Sequence, residues 1–227
     1  MAEECFDADD LATCILVGCL EELNDLDGEC KNCLIANSDS DDLFETCTTT
    51  PASSFFFGGH NGLVLAAKFP IENIMFMEFD SHLQKTGVLY GEVLEAQIAC
   101  THLNSDYPGI DYAGKFGSWD GQNLFEAKLV LGLMKSFENG SPQVILGDMN
   151  SGPAIPEAGI AAERPETYEK FIEKGFHSAN VIQPSPFCTW CPSSNNLIPD
   201  PEDEPTILDH VFVKNADSNN PKRFWDF

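Results

Sequence analysis

Over most of the chain the apolar residues come in short runs. Residues 63–71, 74–79, 88–93, 96–103, 143–146 and 206–213 each read as a buried or half-buried strand, the first of them closed by Pro70. Two later stretches carry a helical period instead. Across 119–138, Leu124, Ala127, Leu131, Met134 and Phe137 fall on one face, and Asn139-Gly140 stops the helix. Across 165–174, Tyr168, Phe171 and Ile172 share a face, with Pro165 at the first helical position and Gly175 past the end. A further helix is expected near the start, capped by Asp9 or Asp10, with Leu11, Ile15, Leu16, Cys19, Leu20 and Leu23 as its apolar positions. Strands dominate, with helices outside them. The expected fold is α/β (α+β): a four-layer type of sandwich in which two mixed β-sheets pack together between helices.

Composition divides this picture in two. Residues 1–50 hold 14 acidic residues and a single base, Lys31, which is about half of the net charge of −25. Six of the nine cysteines also lie within the first 47 residues. We therefore expect an acidic, Cys-rich helical insertion over 1–54 and the main domain over 55–227. Such crowding of cysteines suggests disulfides and an oxidising compartment. The competing reading is a four-sulfur zinc site built from Cys30-x-x-Cys33 and Cys188-x-x-Cys191, which leaves the other four N-terminal cysteines unexplained. An odd total leaves at least one thiol unpaired, and Cys100, inside an apolar strand, is the expected one. Residues 1–10 are acidic, not basic and then apolar, so no signal peptide is expected, and no apolar run reaches membrane-spanning length. With 12 basic against 37 acidic residues, the charge argues against a broad nucleic-acid footprint, because backbone phosphates call for Lys and Arg, though it does not exclude a phosphodiester held through a metal.

Candidate chemistry gathers where apolar runs end. Residues 143–146 run into Gly147-Asp148-Met149-Asn150, placing a carboxylate and an amide two residues apart on one side of a strand end. That pair can hold a divalent cation and a phosphate, or align a water; it is also a common way to close a strand with a turn. His102 ends the run 96–103 and Asp209 lies in the run 206–213. A histidine can protonate a leaving oxygen or polarise a phosphoryl oxygen, and a second carboxylate can fix a histidine tautomer or complete a metal shell. Glu78, Asp80 and His82 form a further polar cluster after an apolar strand, which a rim loop or salt-bridged turn explains as well. Trp119, Trp190 and Trp225 are expected to serve packing.

The order of four motifs resembles the endonuclease/exonuclease/phosphatase superfamily, whose fold is that of pancreatic-type deoxyribonuclease and neutral sphingomyelinases. The motifs are Gly59-His60-Asn61-Gly62-Leu63 with Ala67-Lys68-Phe69-Pro70-Ile71, then Thr101-His102-Leu103, then Gly147-Asp148-Met149-Asn150, then Leu208-Asp209-His210-Val211-Phe212-Val213. The resemblance covers residues 55–214. It implies metal-assisted hydrolysis of a phosphate ester with Mg²⁺ (or Mn²⁺). By resemblance, His102 assists at the phosphate as acid or oxyanion stabiliser, and Asn61 lies where a partner of that histidine sits. Asp148 orients or activates the water or binds metal, Asn150 contacts the phosphate and shares in metal binding, and Asp209 pairs with a second catalytic histidine. The implied partner is a small phosphoester or a lipid headgroup, and the implied compartment is extracellular or secretory. The chain is expected to be monomeric.

Two departures from the family qualify this. The upstream Gln-Glu motif, whose Glu is the principal Mg²⁺ ligand, and the downstream Ser-Asp-His motif are not visible in the sequence. Asp209-His210 mimics the latter, but the Val-Phe-Val that follows matches the earlier strand, so His210 is expected to be an incidental neighbour. The expectation is of a chain truncated at both ends relative to the family. The alternative to an enzyme is a catalytically incomplete, vestigial or binding protein of the same descent.

Overall fold

The computed structural model describes Cys33 and residues 62–81, 83–107, 111–112, 114–181, 187–192 and 203–216. The expected N-terminal helix, the motif residues His60 and Asn61, and His82 and Trp225 lie outside the described residues. The chain divides into two compact units: residues 1–61, 80–85 and 105–122 in one, and 62–79, 86–104 and 123–227 in the other.

The larger unit is built on a six-stranded mixed sheet. Its strands are β1 (Glu72–Glu78), β2 (Gly87–Val93), β3 (Ala96–His102), β4 (Gln143–Asp148), β5 (His177–Ser178) and β6 (Asp209–Lys214). They lie in the order β1-β2-β3-β4-β6-β5. β3 and β4 are parallel, and every other neighbouring pair is antiparallel. The parallel pair needs a crossover, and helix α1 (Trp119–Ser136) supplies it. Helix α2 (Pro165–Glu173) follows β4, after a short 3₁₀ turn at Pro156–Ala158. The fold is thus of the α/β class, with one sheet among the described residues; the second sheet of the expected sandwich is not among them.

One continuous apolar core joins both helices to the sheet. Ala127, Val130, Leu131 and Met134 of α1 meet Val88, Tyr90, Ala99 and Ile145, while Tyr168 and Phe171 of α2 meet Phe212. Phe171 stacks on Phe212 with ring centroids 4.5 Å apart. Phe137, expected on the buried face of α1, is 36% exposed, yet its ring stacks on Tyr90 at 4.5 Å. Ile172 is likewise more exposed than its helical position suggested, because α2 buries Thr167, Tyr168 and Phe171 instead. A buried amide pair ties the strand starts to the end of α1. Gln143 donates through Nε2 to Gln97 Oε1 and to the Met134 carbonyl, and Gln97 donates to the Phe137 carbonyl. Those carbonyls belong to the last turn and exit of the helix, where no intrahelical donor reaches.

Two sequence expectations change. Residues 62–71 are not a sheet strand; Leu65 and Ile71 lie against Gly91 of β2, where an added Cβ would stand 2.6 Å from Ile71 Cγ2. Pro70 lacks an N–H for a ladder, and a strand glycine permits such a close approach. The last strand begins at Asp209, not 206, since Thr206 makes only isolated bridges to Trp190 and Ala161. The cysteines resolve the zinc alternative. Cys188 and Cys191 are joined to each other and Cys33 is disulfide-bonded, so their sulfurs are not metal ligands. Cys100 is a buried free thiol, as expected.

The β2–β3 hairpin turns on Leu94 and Glu95, with φ of 50° and 69°. Two positive φ values in a two-residue loop make the turn type that Asn-Gly suits best, and both residues here carry a Cβ that opposes it. Leu94→Asn with Glu95→Gly is expected to stabilise the chain by about 1 kcal/mol. A urea melt that moves down or stays put would refute this.

In the smaller unit, Trp119 lies between Tyr107 and Tyr112, with ring centroids 4.9 Å apart in both cases. Tyr112 accepts the Phe116 N–H, and Asp80 pairs with Lys115. Trp119 thus serves packing, and Asp80 a salt bridge.

Candidate active site

Register brings the strand-end residues together. His102 is the cross-strand partner of Asp148, and Asp148 is the partner of Asp209. Directly opposed residues on adjacent strands project from the same face. The three therefore form one row across β3, β4 and β6, at the carboxyl ends of the parallel pair. In open α/β sheets that end is where ligands bind. The row is held beyond the strands by two further backbone bonds, Leu103 N–H to the Asp148 carbonyl (2.9 Å) and Met149 N–H to the Leu208 carbonyl (2.8 Å).

His102 Nε2 stands 3.5 Å from Asp148 Oδ2, with the two side chains 40% and 30% exposed. Burial pushes the Asp148 carboxyl above its usual range; His102, the Asn150 N–H and Arg164 oppose this, and the neighbouring Asp209 charge adds to it. Asp148 Oδ1 accepts the Asn150 N–H at 2.8 Å, an Asx turn that holds Asn150 at φ 46°, a conformation asparagine tolerates. The Asn150 Nδ2 donates to the Leu103 carbonyl at 2.7 Å, and its Oδ1 carries no hydrogen bond within the described residues.

The supports behind this row had little sequence signal. Glu126 of α1 is fully buried; it accepts from the Asn104 N–H (2.8 Å) and the Thr86 hydroxyl (3.1 Å). Asn123 donates to the carbonyls of Asn104 and Met149. Helix α1 thereby clamps the segments that follow both His102 and Asp148. Arg164, whose side chain is 6% exposed, donates to the Asn150 carbonyl (3.0 Å) and to Glu163 (2.6 Å). Its one signal in the sequence was rarity, since it is one of two arginines in the chain. On the far side, Thr189 Oγ1 accepts the N–H groups of Leu208 and Asp209, and Asn180 donates to the Asp209 carbonyl.

His210 points the other way. It is 2% exposed, stacked on Phe212, with Nε2 2.8 Å from the Ser151 carbonyl and Nδ1 2.8 Å from the Ser178 hydroxyl. It is a core residue beside Asp209 and not part of the row. Burial pushes its imidazole down to about 4, against the carbonyls of Ser151 and Ile207 and the Asp209 charge, which favour the proton. An unfolded histidine titrates near 6.5, so between about 6.5 and 4 the unfolded chain takes up a proton that the native chain refuses. This contribution is complete above about 6.5 and is lost as the pH falls, a total of about 3 kcal/mol. Urea midpoints of the wild type and His210→Asn, compared between about pH 6.5 and 5, are expected to show a steeper acid loss in the wild type. Parallel slopes would refute it.

No family model and no curated protein matches the chain. Solved structures do. The chain is similar to a β-hairpin deletion mutant of beta toxin from Staphylococcus aureus, with 19% identity over 71% of this chain and 61% of that one, TM-score 0.49. Sphingomyelinase C from Streptomyces griseocarneus matches at 16% identity over 66% and 51%, TM-score 0.49. An AP endonuclease from Archaeoglobus fulgidus matches at 13% over 64% and 59%, TM-score 0.43. The TM-scores of these matches lie below 0.5 and bear on no activity of this chain, which spans about half to three-fifths of their lengths.

Proposed function

We propose that the row His102–Asp148–Asp209 hydrolyses a phosphate ester. The observation that carries this reading is the shared register, which sets an imidazole 3.5 Å from a partly buried carboxylate with a second carboxylate on the next strand. Asp148 can accept the proton of an attacking water, and burial, by raising its proton affinity, makes it a better base than an exposed aspartate. His102, on the other side of the same gap, can donate a hydrogen bond to a phosphoryl oxygen or a proton to the leaving group. Asp209 supports both by its charge and is fixed through its backbone by Thr189 and Asn180.

Among the described residues no group of three or more His, Cys, Asp or Glu is placed to hold a metal ion, so the row would supply only part of a divalent cation's shell. Asp209 and Asp148 lie close enough that one raises the other's hold on a proton, and a cation would relieve that repulsion. Asp148 and Asn150, through its unbonded Oδ1, would hold Mg²⁺ or Mn²⁺, which when bound would neutralise charge on the phosphate. The net charge of −25 favours a small phosphoester or a lipid headgroup over long nucleic acid.

Hydrolysis of bis-p-nitrophenyl phosphate by the chain with Mg²⁺ or Mn²⁺ tests the proposal. Activity is expected, with a loss of about 100-fold or more in His102→Ala. Binding of the ester without turnover under either metal would instead establish the non-catalytic alternative.

A further inference from the structure

At the opposite end of β4 lies a second feature, of opposite charge. Gln143 begins the strand that Asp148 ends, about 17 Å away at the rise of an extended chain. There a cleft of about 710 Å³ opens between the last turns of α1 and α2 and the end of β6. Lys128, Lys135, Lys170, Lys174 and Lys214 line it, five of the 12 basic residues in the whole chain. Buried Leu131 and Phe176 also line it, and Lys214 Nζ lies 5.6 Å from the Phe176 ring centroid.

Helix dipoles account for part of this, since Lys135 and Lys170 sit in the last turns of their helices. They do not account for Lys128, one to two turns earlier, or for Lys214 on a strand. Two carboxylates enter the cluster. Glu138 pairs with Lys135 and Lys214, and Glu173 pairs with Lys170. Lys128 and Lys174 have no ion-pair partner among the described residues, in a chain where acids outnumber bases by 37 to 12. Five ammonium groups against two carboxylates leave a local charge of about +3 around one concavity, which a bound anion would neutralise.

We propose that this cleft is a second binding site, separate from the rim, for the multiply charged phosphate of a small organic molecule. The volume lies within the range of small-molecule pockets. The charge suits a polyphosphate better than a single carboxylate. Lysines act as adaptable point charges for phosphate, and the apolar lining suits an attached ring or acyl group. A soluble polyphosphate and a phosphorylated lipid headgroup share this chemistry.

The test uses the full chain in EDTA, titrated calorimetrically with ATP and, separately, sedimented with phosphatidylcholine vesicles with and without phosphatidylinositol bisphosphate. We expect saturable one-to-one binding, weakening as salt rises. Lys128→Gln with Lys174→Gln should weaken it by about tenfold or more, because both lysines are exposed and their loss should leave the melt unchanged. Lys68→Gln, outside the cleft, and His102→Ala, at the rim, should bind as the wild type does. Binding to ATP alone assigns a soluble ligand; sedimentation only with the phosphoinositide, reversed by ATP, assigns a headgroup. No saturable binding to either probe overturns the proposal, as does undiminished binding by the double lysine variant or loss of binding in His102→Ala.

Discussion

Gly147→Ala is expected to unfold the rim and to weaken the whole sheet, at a cost of roughly 4 kcal/mol. Two independent features produce this. Gly147 has φ of 135°, a conformation that residues with a Cβ rarely adopt. An added Cβ would also stand 1.8 Å from the Thr101 carbonyl oxygen, a backbone atom that cannot swing aside. Thr101 and His210 are the cross-strand partners of Gly147, so a shift there displaces β3 and β6 together. Both neighbours adjoin members of the row, which ties the loss of stability to a loss of geometry at His102 and Asp209. Gly132→Ala is the contrasting substitution. It lies on α1 with nothing within 4 Å of the added Cβ, and is expected to stabilise by about 0.5–1 kcal/mol through helix propensity. Urea melts of both variants provide the measurement. A Gly147→Ala midpoint within experimental error of the wild type would show that β3 and β4 separate without resistance, contrary to the packing described above.

The same glycine shows what could be read in the sequence. Gly147-Asp148-Met149-Asn150 after an apolar run marked a strand end, and β4 ends at Asp148. His102 was legible for the same reason, a polar residue at the border of an apolar run; Asp209 lies within the run 206–213 and drew notice through the motif around it. Their alignment in one row was not, because register between strands 46 and 61 residues apart depends on turns and core contacts with no local pattern. The long helix was read nearly to its ends because Leu124, Ala127, Leu131 and Met134 recur at helical spacing and Asn139-Gly140 marks the stop. Residues 63–71 failed because an apolar run permits a strand without requiring one. β5 was too short to carry any alternation. Glu126, Asn123 and Arg164 escaped notice because a buried polar residue looks like a surface one until its partners are known. The lysine cleft was invisible for a related reason: its five lysines are spread over residues 128–214 and only the packing of α1, α2 and β6 gathers them.

Asp148→Asn is expected to separate function from stability. The substitution keeps the shape of the side chain and an oxygen that can accept the Asn150 N–H, so the turn at Asn150 should survive. It removes the charge by which, on the proposed function, Asp148 would act as a base and attract a cation, and with it the attraction for His102. Hydrolysis is expected to fall by roughly 1,000-fold, within the range for loss of a general base in a preorganised site. Stability is expected to move the other way. Because burial raises the Asp148 carboxyl above its usual range, the native chain holds that proton more firmly than the unfolded chain does, and ionising it at neutral pH works against folding. The asparagine chain should therefore have the higher urea midpoint near neutrality. The difference should shrink as the pH falls below the ordinary aspartate range, where both states of the wild type are protonated. A lower midpoint for Asp148→Asn at neutral pH would mean that the charge is structural and is held by His102 and Arg164. Retained hydrolysis would remove Asp148 from the chemistry. The expected combination, a more stable and inactive chain, is what a strained catalytic carboxylate produces and a surface salt bridge does not.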